Sequence, residues 1–552
     1  MHTKAFLSPV LLGACLSIAC GVSESTDEVG HSAREGDDEG GHDHTIGERL
    51  DRSPYLVDRK IIDETLIESL ELSELELEKA PTVFIETYDE FAIASLIDPE
   101  SGETLAEAEA YAEFEEDGGG IRRISTLKLN EELLKVDLEV QLQVDPRLRL
   151  LLCDEVVWNR NDQGAGSLRQ AVADVRNGGS VCFDPVEFET KTPLVLHSEI
   201  LVAKDISFLG STAGGVVIHS DGSERLFNLG SATDTVMREI SLAKGDANDG
   251  GLIKNRGTLS MRECATEDGN AQRGGAIYSD GGIVFLWDSV MEMSEADQGG
   301  AVYCDDCRLY VDDTRVAGHT AGAGGAFYSD RGTVIIRNGS IVTQNYADEG
   351  GGLYAHSPGG VTGVLEVHGA SYHYNLAQRG AGVFMAGGRL TVAADPFSTF
   401  PSAAISGNHA FQQGGGVYVD GGFVDVESSG SIRGNMAGSH GAGIYNAGQV
   451  EVVGQGEISN NHASGRGGGI YNVGSVDLYD TARIEDNETD THGGGVYNAG
   501  SMIHWDHGVR VTGNHADGDG GGIYNTSAQN LQALVQMQVV GNTNDNVFDA
   551  AP

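Results

Sequence analysis

The chain has 552 residues, of which 78 are Gly and only 11 Pro, with 40% hydrophobic residues and a formal net charge of −48. High Gly with little Pro excludes a Pro-rich disordered linker protein, and no Gly-every-third period marks collagen. The balance of 35 basic against 83 acidic residues excludes binding nucleic acid through its phosphates, which needs Lys/Arg patches, and suits an exported protein kept soluble by self-repulsion.

The long apolar run, Ala5 to Ala19 after Lys4, is too short to span a bilayer and reads as an export signal. It meets cysteine twice, each time behind a small residue, which resembles a bacterial lipoprotein cleavage box. Ser17-Ile18-Ala19-Cys20 has the better polar boundary and Leu12-Gly13-Ala14-Cys15 the better leucine. Residues 1–20 are therefore expected to be a lipoprotein signal peptide, with Cys20 as the lipidation site and Cys15 the alternative; an ordinary cleaved signal peptide is the other reading. Acyl chains there would be the protein's one contact with a membrane, at the bacterial outer membrane or cell surface. Residues 21–50, with Asp37-Asp38-Glu39, read as an acidic disordered linker.

Residues 51–150 read as a small α+β segment. Thr104-x-x-Glu107 has the form of a capping box before an Ala/Glu-rich helix that Gly118-Gly119-Gly120 would stop. Val136, Leu138, Val140, Leu142 and Val144 alternate with other residues as in a half-buried strand. Further on, Ser167-Leu168-Arg169-Gln170 is a second capping box. Leu168, Ala171, Val172 and Val175 then share one helical face, and Gly178-Gly179 ends the helix. Such a helix would cap the open end of a repeat array.

From Gly251 the chain is periodic. Small residues, an aliphatic residue and an aromatic recur, ending at Tyr278, Tyr303, Tyr328, Tyr354, Phe384, Tyr418, Tyr445, Tyr471, Tyr497 and Tyr524. A second phrase, aliphatic-x-x-Asn, recurs as Ile405…Asn408, Ile432…Asn435, Ile458…Asn461, Ile484…Asn487 and Val511…Asn514. A period of about 26 residues with short alternating runs is one coil of a parallel β-helix, read as three strands and three turns. The predicted fold is thus all-β, a β-helix over 151–552. Asn446, Asn472, Asn498 and Asn525 should form an amide ladder along one turn. The tyrosine rings should stack coil on coil as an outward stripe, which stabilises the rod or binds a polymer.

With Cys20 lipidated, Cys153, Cys182, Cys264, Cys304 and Cys307 remain. Cys304-Asp-Asp-Cys307 has no second half to complete a zinc site, so a local disulfide is expected there, with Cys153–Cys182 as a second. Asp425, Glu451 and Asp477 should stack on successive coils, as a calcium site or a solvated acidic face. No cofactor other than calcium is expected. His409, His462 and His515 fall on alternate coils, too far apart to share a metal. The longest coils carry Tyr372, Tyr374, Phe397 and Phe400, whose rings could stack on sugars or cover the rod's flank.

The Gly-Gly-Ala-Ile and aliphatic-x-x-Asn phrases resemble the polymorphic outer membrane protein repeat. Asn161-Asp162-Gln163-Gly164-Ala165-Gly166-Ser167-Leu168-Arg169-Gln170-Ala171-Val172 resembles the N-terminal cap of bacterial surface β-helix proteins. The resemblance covers roughly residues 156–548 and implies a right-handed parallel β-helix, export and adhesion. Two departures stand out: Ile or Val replaces the family's preferred Phe in the second phrase, and Pro552 follows the last coil without a translocating barrel. The expected function is a non-catalytic surface module binding an extracellular glycan or protein. A polysaccharide lyase or glycoside hydrolase, and a purely structural envelope protein, are the alternatives.

Overall fold

The structure, a computed structural model, describes the strands between Leu56 and Leu152 and then residues 153–550, except 211–214, 358–362, 395–402, 506–507 and 527–537. The lipidation candidates Cys15 and Cys20, and the ring candidates Phe397 and Phe400, lie outside the described residues.

The described residues of the first folded segment form two antiparallel sheets. One has five strands in the order Leu56–Ile62, Thr65–Leu70, Leu138–Gln143, Ile93–Ile97 and Thr104–Glu107. The other has four, in the order Glu109–Glu115, Ile121–Lys128, Thr82–Tyr88 and Arg149–Cys153. The strand at 138–143 is as expected, but the Ala/Glu-rich stretch is not a helix. Ser95 faces Glu107 and Glu115 faces Ile121 across antiparallel pairs. Each strand lies at a sheet edge with one antiparallel partner, and that pairing overrides the helix propensity of Ala and Glu.

The helix Leu168–Asp174 forms where the second capping box placed it. Ser167 Oγ accepts from the Gln170 amide at 3.2 Å. Leu168, Ala171, Val172 and Val175 are buried and join the core of the first coils.

The remainder is a parallel β-solenoid of 14 coils, counted on its 14-stranded face. A complete coil has four short strands, as in Ile277–Asp280, Ile283–Trp287, Val290–Glu292 and Glu295–Gln298. The first two belong to one 26-stranded sheet bent at a corner, the third to the 14-stranded sheet and the fourth to an 11-stranded sheet. Four strands replace the expected three because the fourth is a polar run around a single buried Ala, such as Glu295-Ala296-Asp297.

The core is a set of aliphatic columns in register. Ile277, Val302, Phe327 and Leu353 lie one above another, each at most 2% exposed. Burying such a side chain contributes roughly 1.5–3 kcal/mol. The first glycine at the fourth-to-first corner is required by close approach, and the second position is glycine in most coils but Ala at Ala381 and Ala442. Gly274 has φ +66°, and a Cβ there would lie 2.0 Å from the Ile277 carbonyl oxygen. A Cβ on Gly275 would lie 2.2 Å from the Gly300 oxygen in the next coil.

Two amide ladders run along the rod. At the first-to-second corner Asn446 Nδ2 donates to Asn472 Oδ1 at 2.9 Å, Asn472 to Asn498 at 2.8 Å and Asn498 to Asn525 at 2.8 Å, as expected. The other uses the Asn of the aliphatic-x-x-Asn phrase. There each Oδ1 accepts twice from the preceding coil: Asn435 N at 2.9 Å and Asn435 Nδ2 at 3.0 Å both donate to Asn461 Oδ1. The same pair of bonds links Asn345, Asn375, Asn408, Asn435, Asn461, Asn487, Asn514 and Asn542. These buried amides satisfy the backbone N–H groups at the corner before the fourth strand, which would otherwise be stranded in the core.

Candidate functional site

The tyrosine column is continuous. Successive ring centroids from Tyr278 to Phe548 lie 4.6 to 5.4 Å apart. Tyr278, Tyr303, Tyr328, Phe384, Tyr418 and Tyr497 are all under 10% exposed. Burial pushes the Tyr303 phenol up to about 12. Cations cover parts of the column: the Arg273 guanidinium sits 4.5 Å from the Tyr278 ring and Arg466 5.0 Å from Tyr497. His440 stacks on Tyr471 and His492 lies tilted against Tyr524, each at 4.7 Å. Tyr354, Tyr445, Tyr471, Tyr524 and Phe548 are half-buried, so the column is largely covered by its own stacking and by these cations.

The acidic stack exists in register, Asp425 facing Glu451 and Glu451 facing Asp477. Asp425 is buried, 5% exposed, and its Oδ2 accepts from Arg389 Nη2 at 2.6 Å. Arg389 in turn lies 4.7 Å over the Phe423 ring. The Glu451 carboxyl is held above its ordinary range, first by burial and then by Asp425 and Asp477. Among the described residues no group of three or more His, Cys, Asp or Glu side chains gathers to hold a metal. His409, Met436, His462, Glu488 and His515 occupy one register column, so the histidines alternate with other residues, as the spacing required.

Both expected disulfides are present, Cys153–Cys182 and Cys304–Cys307, with Cα–Cα distances of 5.5 and 5.1 Å. Cys264 is a buried free thiol, pushed up to about 12 by burial.

The third-strand face carries an open groove of about 930 Å³. It spans five coils, from Gly339 to Asn460. Its floor is small and hydroxylic, with Ser371, Ala404 and Ser406, and its walls carry Tyr374 and Arg433. Tyr374 is 69% exposed and holds the left-handed corner at φ 55°. The following coils have Gly407 and Gly434 at that corner. A Cβ on Gly407 would come within 3.0 Å of the Tyr374 ring, so glycine there lets the ring lie over the next coil. His373 meets the ring edge-on at 5.1 Å, and burial, with Arg315 nearby, lowers its basicity.

Of the ring candidates, Tyr374 lines this groove. Tyr372 does not: it is 1% exposed and fills the core column between Val342 and Ile405. That corrects its assignment as a ligand contact. The sequence carried the signal, because Tyr372-x-x-Asn375 is the aliphatic-x-x-Asn phrase with Tyr in the core position. Arg433 was missed, since its neighbours in the groove come from coils far apart in sequence.

Residues 456–473 and 508–526 match the model of the Chlamydia polymorphic membrane protein (Chlamydia_PMP) repeat. No curated protein sequence matches the chain. Among solved structures, the catalytic domain of a GH87 alpha-1,3-glucanase in complex with tetrasaccharides aligns over 88% of this chain and 90% of its own. The two are 9% identical and the TM-score is 0.28, too low to carry an activity or a substrate across.

Proposed function

We propose that the chain is a cell-surface β-solenoid that binds an extracellular polymer without cleaving it, anchored through a lipid on Cys20. The observation that carries this reading is the groove beside Tyr374. It is an open, five-coil channel whose lining contains no Asp or Glu, hence no carboxylate pair for acid–base cleavage. The match of two repeats to a polymorphic membrane protein model supports a surface location, and the disulfides suit an oxidising compartment. Protease added to intact cells should remove the rod; protection of the rod would overturn surface display.

A second reading, hydrolysis or β-elimination of a polysaccharide, is favoured by one feature: Glu451, held protonated longer than usual between two carboxylates. It requires that purified protein release new reducing ends or unsaturated products, and that Glu451→Gln abolish them.

A further inference from the structure

We propose that the groove between Tyr374 and Arg433 is a subsite for a uronic-acid polysaccharide, with Arg433 binding the sugar carboxylate and Tyr374 stacking on a sugar ring. This rests on the surface-binding reading and specifies its ligand class.

The first argument is charge. The chain carries 83 acidic residues, yet the groove lining has none, and holds Arg433. Most arginines of the rod are neutralised along the stack, as Arg315 is by Glu292 and Arg483 by Glu457. Arg433 is exposed, and no ion pair to its guanidinium occurs among the described residues. A guanidinium's planar fork matches a carboxylate bidentately. In so acidic a chain, an unpaired arginine in an acid-free channel is a local exception that an anionic ligand would complement.

The second argument is shape. His373, Ser406 and Arg433 share one register column on three successive coils. Ser371, Ala404 and Ser431 form the neighbouring column. Tyr374 stands at the corner beside them, followed by two glycines. The result is a ring platform, a hydroxyl floor and a cation, in that order along the rod. Four steps of about 4.8 Å give the channel a length of roughly 19 Å, enough for a short run of sugar rings. Tyrosine offers an apolar face to a pyranose at low conformational cost, and the serine hydroxyls can donate to or accept from sugar hydroxyls.

The test uses the full chain in affinity electrophoresis through gels containing polygalacturonate, alginate or hyaluronan. Fully methyl-esterified galacturonan supplies the same backbone without charge. The polyuronates should retard the protein and the ester should not. Arg433→Ala should weaken retention roughly tenfold or more, Tyr374→Ala several-fold, and Arg510→Ala, on the same face but outside the groove, not at all. Unchanged thermal unfolding of each variant controls for folding. Retention by none of the three polyuronates, equal retention by the ester, or indifference to both groove variants would overturn the assignment. Protease removal of the rod from cells combined with no polyuronate retention would leave surface display standing and refute the groove alone.

Discussion

Tyr418 and Tyr445 lie ring over ring on adjacent coils, centroids 4.6 Å apart and 2° from parallel. Their backbones are in strict register, so the contact follows from the repeat itself. The column already accepts Phe at positions 384 and 548. Tyr445→Phe should therefore leave stability within about 0.5 kcal/mol, whereas Tyr445→Ala should cost about 2–4 kcal/mol through lost packing and an opened gap. Chemical denaturation followed by circular dichroism measures both.

Asn461 sits mid-ladder. Its Oδ1 accepts from Asn435 N and Nδ2, and its own Nδ2 donates to Asn487 Oδ1 and the Ile432 carbonyl. Asn461→Ala would strand buried donors on the coil before it. It should lower stability by about 3 kcal/mol, while alanine at the exposed Glu488 should change it little. Equal effects at the two positions would remove the ladder from the account of stability.

His319 takes the ladder position two coils before Asn375. Its Nδ1 accepts from the Ser294 amide at 3.0 Å, and its own amide donates to Asn345 Oδ1 at 3.0 Å. Burial pushes its pKa down to about 4. The unfolded chain thus takes up this proton near pH 6.5 and the folded one only near 4, so stability falls as pH drops through that window, by on the order of 3 kcal/mol. His319→Asn restores the residue used elsewhere in the ladder. Measured at pH 7 and pH 4.5, the variant should gain on the wild type at the lower pH; parallel curves would contradict the assignment.

These cases mark how far the sequence was legible. The period, the tyrosine register and the ladder through Asn446 follow from spacing, because stacked coils force like positions together. The fourth strand was not visible, since one buried Ala between polar neighbours, as at Ala296, leaves no alternation to read. The ladder at Asn461 was visible as a motif but not as hydrogen bonding, which depends on how the corner turns. The Thr104–Glu115 stretch read as helix because its Ala and Glu residues favour helix and show no strand alternation, although its partners, Ile93–Ile97 and Ile121–Lys128, are close in sequence. The groove combines residues from Gly339 to Asn460, a grouping that only the coil register creates.

The two disulfides close loops of different length, with sequence separations of 29 and 3. Loop-closure entropy assigns about 3–4 kcal/mol to Cys153–Cys182 and about 2 kcal/mol to Cys304–Cys307. Cys182→Ala should accordingly destabilise more than Cys307→Ala in the oxidised protein. The reverse order, measured by denaturant midpoint, would contradict this.

Glu451 is raised by burial and by two like charges, so the folded state favours its protonated form. Glu451→Gln should raise the unfolding temperature slightly at pH 7, with the gain fading at pH 4 as the wild-type carboxyl protonates. A loss at pH 7 would mean that the charge is stabilising.

The central claim is binding without cleavage. Its most direct test incubates the purified full chain with the polysaccharide panel, reading retention and new chain ends in the same samples. The account predicts retention of at least one polymer with no new reducing ends or unsaturated products. Protein-dependent release of such products, lost in Glu451→Gln, would contradict it and move function to the carboxylate stack.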